Sequence, residues 1–334
     1  MLLIGEIASG VVIGSSLGYA LQRGGFCMNS AFRSIAFEKD HSLVRAWLLV
    51  VVINVIGVNL LGELGFLTPL TVPFFWPALL LGGFIFGIGM VIAGGCASGT
   101  CYRSGRGMIG SWAALIGFIF STAAVEGGVL HPLQNLLRQH IVTIDGATVT
   151  IFSLLGVSSA VGRWLIIAVL IVPTVWWLAQ APADTFVLGW GWRRSGVVIG
   201  ALALLTWMVS ALFQRNFGLS FTQPLVSLTR WVVAGDTSGL NITSWLVLSV
   251  PIGALLAAAV RDEAHLSLPP ASVLVRQGIG GLTMGIGAAT AGGCNIGHGI
   301  TGIATLGIGS ILAVLSIMLG CWVMTGIVYR QLTR

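Results

Sequence analysis

Apolar stretches of about 20 residues follow one another from Leu2 almost to the C-terminus, and few folds accommodate such a pattern. Nine are legible, at about 2–21, 43–62, 76–94, 109–130, 163–180, 195–213, 243–260, 272–291 and 308–329. Each is long enough to cross the hydrocarbon core of a bilayer as a helix. With 56% hydrophobic and only 8% charged residues, the chain lacks the polar surface a water-soluble domain needs. The first stretch, Leu2–Leu21, has neither a basic leader nor a small-residue cleavage site, so it reads as a span, not a signal peptide. The expectation is an all-α polytopic membrane protein, a single integral membrane domain over residues 1–334.

The net charge of +6 comes from 15 arginines and Lys39, scattered through short connections with no basic run. That excludes a nucleic-acid footprint and reports topology instead. Summed over alternate connections, 12 of the 16 cations fall on one side and four, Arg138, Arg163, Arg215 and Arg230, on the other. The richer side is expected in the cytoplasm, which puts the N-terminus outside and the C-terminus inside. Twelve tryptophans, such as Trp176, Trp177, Trp190 and Trp192, suit interfacial belts. Asn54 and Asn59 suit bonds between helices. Five cysteines without metal-ligand spacing indicate neither a disulfide framework nor a zinc site, and no cofactor motif is present.

The chain repeats itself. Residues 83–99 align without gaps with 281–297, and 9 of 17 positions are identical, including Ala-Gly-Gly-Cys at 93–96 and 291–294. A weaker echo relates Gly10-Val-Val-Ile-Gly14 to Gly196-Val-Val-Ile-Gly200, and Gln22-Arg23 to Gln214-Arg215. Five spans separate the starts of the two halves, and an odd number inverts the second. The expected organisation is therefore one repeat over 1–180 and an inverted one over 195–334. Pro182 and Asp184 mark the loop between them, and Asp145-Gly146 is a turn signal in the longest external connection, 131–162, to which no function is attached.

Three segments share a plan in which an apolar helix runs into paired glycines, a cysteine, and then mostly small or polar residues. They are Gly24-Gly25-Phe26-Cys27-Met28-Asn29, Gly94-Gly95-Cys96-Ala97-Ser98, and Gly292-Gly293-Cys294-Asn295-Ile296-Gly297-His298. Paired glycines disfavour helix, and unwound backbone at membrane depth survives only beside protein or a water-filled cavity. Polar residues after the break suit the start of a new half-helix, whose free N–H groups and positive dipole end favour an anion. A fourth break is expected near Arg215–Ser220, where Cys27 has no counterpart. Cys321 reads as packing. Cys101 serves packing or supports the site, Arg23, Arg103 and Arg106 serve cytoplasmic anchoring or the anion, and His298 meets a ligand or caps backbone. Glu126 reads as a paired or solvated carboxylate.

These glycine-cysteine segments, on nine spans with an inverted repeat, resemble the YeeE/YedE family of bacterial membrane proteins over essentially the whole chain. The resemblance implies an hourglass-like protein of the inner membrane whose re-entrant loops meet near the centre, each bringing a cysteine. It implies thiosulfate uptake with Cys27, Cys96 and Cys294 as the functional thiols, Cys96 foremost. Gly24, Gly25, Asn29, Gly94, Gly95, Ser98, Cys101, Arg103, Gly292, Gly293, Asn295 and His298 form the supporting shell. It also implies a small TusA-like cytoplasmic partner, YeeD, that takes the delivered sulfur. YedE relatives are tied to selenium or other sulfur metabolism, so other substrates stay open, as does a membrane thiol oxidoreductase or persulfide carrier using Cys96 and Cys101.

Overall fold

The computed structural model describes residues 2–144, 146–181 and 189–332. Asp145, Pro182 and Asp184 lie outside the described residues. The chain forms α1 (Leu2–Gly24), α2 (Met28–Phe37), α3 (Ser42–Glu63), α4 (Trp76–Ile92), α5 (Ala97–Gly105), α6 (Ile109–Glu126) and α7 (His131–Arg138). A hairpin of two-residue strands, β1 (Thr143–Ile144) and β2 (Ala147–Thr148), precedes α8 (Ile151–Leu154) and α9 (Ala160–Ala179). Then come α10 (Trp192–Leu212), α11 (Thr222–Ala234), α12 (Ile242–Ala259), α13 (Ala271–Ala291), a π-helical segment Gly297–Gly302, and α14 (Ile308–Leu332). Most backbone polar groups are thus satisfied within helices, as a bilayer requires.

Among the described residues, eight helical stretches are long and apolar enough to cross a membrane. The ninth expected span is present as the 21-residue α13 but is less apolar, because it carries Arg276, Gln277 and five glycines. It lies between α4 and α6. From Gly280 onward it is mostly buried, and a helix face against protein needs less hydropathy than one facing lipid.

The helical glycines in and beside the matching segments 83–99 and 281–297 are packing positions. On α4, a Cβ at Gly82 or Gly89 would meet the α13 backbone at 2.6 and 2.4 Å, and one at Gly83 or Gly87 the α14 backbone at 2.9 and 2.2 Å. On α13, Gly280 and Gly287 face α4 in the same way, at 2.2 and 2.3 Å, while Gly281 and Gly285 face α6. Small residues let helix backbones approach where no hydrophobic driving force exists between helices. The contacts have a pattern. α1 packs on α12 and α3 on α10; α4 packs on α14 and α13 on α6; α4 and α13 pack on each other. Exchanging α1–α6 for α10–α14, with the π-helical segment standing for α5, maps these contacts onto one another. Asn54 donates to the Gly200 carbonyl at 3.2 Å and Asn59 to the Ala304 carbonyl at 3.0 Å, both between elements.

Not every tryptophan sits in a belt. Trp176 is exposed, but Trp207 is fully buried and Trp47 is buried with its Nε1 donating to the Gly299 carbonyl at 2.9 Å. A buried indole usually finds an acceptor, as Trp47 does, whereas the Trp207 Nε1 has none among the described residues.

Candidate functional site

The two ends of the molecule are defined by loops that bond to one another. At one end Trp190 N–H donates to Arg23 O, Ser267 pairs with the 107–109 segment, and Arg106 reaches Glu263 O at 3.4 Å. At the other, Leu70 N–H donates to Asn216 O, Val142 to Phe74 O and Ile308 to Val149 O. α5, nine residues long, climbs about 13 Å from Cys96 to the first end. The ten-residue α2 does the same from Cys27, so both cysteines lie well inside the bundle. Cys294 is reached from the opposite end, where α13 stops and the π-helical segment turns back towards Leu306. All three cysteines are buried in one apolar core.

The breaks form as the paired glycines require. Gly25, Gly94 and Gly292 have φ of 55, 74 and 81°, a region costly for other residues. A side chain at Gly24 would strike Ser195 Oγ, at 2.6 Å. Cys27 and Cys96 then take extended backbone angles as the residues capping α2 and α5. Cys96 Sγ accepts from the Gly99 amide at 3.4 Å, and Ser98 Oγ lies 3.4 Å from the same sulfur. The two half-helices bring Cys27 Sγ and Cys96 Sγ to 3.9 Å, although 69 residues separate them. The Ser30 and Cys96 amides lie beside the Cys27 sulfur. The site is therefore a thiol pair at the positive ends of two half-helices, a setting that favours a soft, negatively charged guest.

Around this pair the supporting residues take distinct places. Arg103 Nη1 donates to the Gly94 carbonyl at 2.7 Å, beside Gly95, and its charge is within reach of both thiols. Tyr102, which the sequence did not single out, lies under that guanidinium, 5.7 Å from ring centre to Cζ. Asn295 faces the Cys96 sulfur. Cys294 Sγ makes no hydrogen bond to the pair among the described residues. Asn29 faces away and accepts from Cys321 at 3.7 Å. Cys101 also points away, towards the Val247 carbonyl at 3.8 Å, into an apolar groove of about 460 Å³ with Trp112, Leu115 and Leu225.

Both ring nitrogens of His298 are engaged. Nε2 donates to the Ala291 carbonyl at 3.2 Å, and Nδ1 accepts from Ser310 Oγ at 3.3 Å, so the imidazole caps the end of α13 behind Gly293. The amphipathic α7 supplies a second cap that no sequence signal announced. Arg138 donates to the Ala289 and Thr290 carbonyls beside Gly292, Gln134 donates to Ala289 at 2.9 Å, and Arg138 stacks over Phe75 at 5.0 Å. Glu126 is a paired carboxylate, 3.9 Å from Arg138 and accepting from Gln134 and Gln223. Arg138→Gln is expected to cost about 2 kcal/mol, mainly through the charge-assisted bonds to the helix end; the partly exposed ion pair contributes little. A thermal melt in detergent measures it; an unchanged melt would show that Gln134 caps α13 alone.

Comparison with known proteins places this geometry. Residues 23–323 match the profile of the family described as sulphur transport. The chain is 33% identical to the thiosulfate transporter TsuA of Escherichia coli K12, across 98% of this chain and 96% of that protein. It is 34% identical to the thiosulfate transporter TsuA of Spirochaeta thermophila, across 97% of this chain and all of that one. The probable transporter YedE of Salmonella typhimurium is 28% identical over 109 residues, 26% of its length. With eight apolar helical stretches long enough to span a membrane among the described residues, and full-length relatives named as transporters, the chain is a multi-pass membrane protein of the sulphur-transport family.

Proposed function

We propose that the protein carries thiosulfate inward across the bacterial inner membrane, its terminal sulfur passing the thiols of Cys27, Cys96 and Cys294 through S–H···S contacts without covalent chemistry. The observation that carries this reading is the 3.9 Å approach of Cys27 Sγ to Cys96 Sγ at the capping positions of two half-helices. A thiol is a weak donor and a polarizable neighbour for sulfur. Weak sites in series suit conduction, because an ion must leave each one. The half-helix amides and Arg103 compensate the negative charge. Names of the full-length relatives point to the same substrate.

The exchange pattern of the helix contacts supports an inverted repeat of 1–180 and 195–334 that closes an hourglass-like path around the three breaks. The excess of Lys and Arg supports an N-terminus outside and a C-terminus in the cytoplasm, which makes the Cys294 break the outer one. A dianion entering a cytoplasm negative by 100 mV costs about 4.6 kcal/mol, twice the cost for a single charge. No chain of buried carboxylates is available among the described residues to couple protons, so uptake is drawn by consumption inside, through a TusA-like sulfur carrier (YeeD).

Uptake of labelled thiosulfate into right-side-out vesicles tests the reading. Cys96→Ala is expected to lower the initial rate at least about tenfold, the equivalent of one lost contact to a charged guest. Cys96→Ser keeps an O–H donor and is expected to fall between. Undiminished uptake by Cys96→Ala would rule out passage by way of this thiol. A disulfide between Cys27 and Cys96 trapped during turnover would favour an oxidoreductase instead.

A further inference from the structure

Asn295 stands apart from the other amides of the bundle. Its side chain is completely buried, and among the described residues neither Nδ2 nor Oδ1 has a nitrogen or oxygen partner; the group it faces is the Cys96 sulfur. Asn54, equally buried, leaves only its Oδ1 unpaired and donates from Nδ2 to carbonyls, and the half-buried Asn59 likewise donates to a carbonyl of a neighbouring element. A buried amide left without partners is destabilising, and one with both its donor and its acceptor unpaired calls for a partner that the chain does not supply. Asn295 lies beside Cys96 Sγ, and Ser98 Oγ is 3.4 Å from the same sulfur. The chain thus presents a soft side, the two sulfurs of Cys27 and Cys96, next to a hard side, an amide and a hydroxyl.

Thiosulfate has the same division, with one sulfane sulfur and three sulfonate oxygens. We infer that Asn295 is the specificity-determining contact of the path, its Nδ2 donating to a sulfonate oxygen while the sulfane sulfur meets the thiols of Cys27 and Cys96. The inference rests on the proposed thiosulfate path and adds to it the group that orients the ion and separates thiosulfate from anions lacking one of its two ends. Asn295 occupies the position that Ala97 holds in the matching segment, so of this matched pair only the Cys294 break brings an amide.

The test compares wild type with Asn295→Leu, nearly equal in shape, and Asn295→Asp, which keeps the shape but loses the N–H donors. Wild-type vesicles are assayed first; failure of wild type to take up thiosulfate strikes the proposed path itself. With wild type active, Asn295→Leu is expected to raise the KM for thiosulfate at least about tenfold and Asn295→Asp to reduce uptake further. The melting temperature of Asn295→Leu without substrate should equal or exceed that of wild type, because the amide gives up only a weak contact to a thiol and an unpaired buried polar group is removed. Thiosulfate should raise the wild-type melt and leave the Leu variant unmoved. An unchanged KM in Asn295→Leu overturns the inference, as does a KM rise accompanied by a lowered melting temperature, which would mark the amide as structural.

Discussion

Gly99→Val is expected to reduce thiosulfate uptake to background while the protein still folds. Gly99 is the third residue of α5, and its amide donates to Cys96 Sγ. A Cβ there would lie 3.0 Å from Cys27 Sγ and 3.4 Å from Cys96 Sγ. Those are the two atoms whose 3.9 Å approach the proposed path uses. Ordinary contact needs about 3.5–4.0 Å, so even one methyl pushes the sulfurs apart and valine's two further carbons fill the space where a sulfane sulfur would pass. Helix propensity works in the other direction, since a non-glycine residue gains up to about 1 kcal/mol in α5. The strain falls on two side chains at a break that is already unwound, so Gly99→Ala should keep its fold and lose about tenfold in rate, as a small misplacement of a reacting contact does. Initial uptake rates and a monodisperse elution profile in detergent check both variants. Wild-type rates in Gly99→Val would mean that the ion does not travel between Cys27 and Cys96.

Much of the bundle could be read from hydropathy because length and apolarity are local properties. The expected span 43–62 is α3, Ser42–Glu63, and 272–291 is α13, Ala271–Ala291. The end of α6 was misplaced by a few residues, since 109–130 runs past Glu126, where Gly127 and Gly128 halt the helix without interrupting the apolar run. The same kind of signal exposed the breaks, as paired glycines stand out against leucine and valine. What hydropathy does not carry is which element lies next to which. That Cys96 meets Cys27 while Cys101 turns to Val247 depends on the tilt of α5 against α12 and α1, through contacts between residues far apart in sequence. Arg138 shows the same limit. In the sequence it is one cation in a connection without evident purpose; in three dimensions the short α7 lays it across the end of α13. Trp47 illustrates the ambiguity of an amphipathic residue, for its indole suits a headgroup as well as a buried Gly299 carbonyl.

Gly253→Val is expected to prevent assembly altogether, and its logic lies in the α1–α12 seam. Gly10, Gly14 and Gly18 recur every fourth residue on α1, the spacing that lines one face of a helix. A Cβ at Gly14 would stand 2.1 Å from the Leu246 carbonyl oxygen, and one at Gly18 would stand 2.0 Å from that of Val250. From the other helix, a Cβ at Gly253 would stand 1.8 Å from the Ser15 carbonyl oxygen. Each obstacle is backbone, which has no rotamer to yield, so valine forces the helix axes apart along the whole seam. Overpacking a core commonly costs about 1–3 kcal/mol where side chains give way; here the cost should exceed that range, to about 4 kcal/mol or more. In lipid the loss is not recovered elsewhere, because close packing itself holds such helices together. α1 leads directly into the Cys27 break and α12 packs on α5, so separating them also removes the scaffold of the thiol pair. Expression as a fluorescent fusion followed by size-exclusion chromatography reads the outcome as loss of the monodisperse peak. Gly65→Val, at an end loop where none of the described residues lies within 4 Å of a Cβ but φ is 75°, serves as the control and should lose only the smaller cost of backbone strain. A folded, active Gly253→Val protein would refute the claim that this seam sets the spacing of α1 and α12.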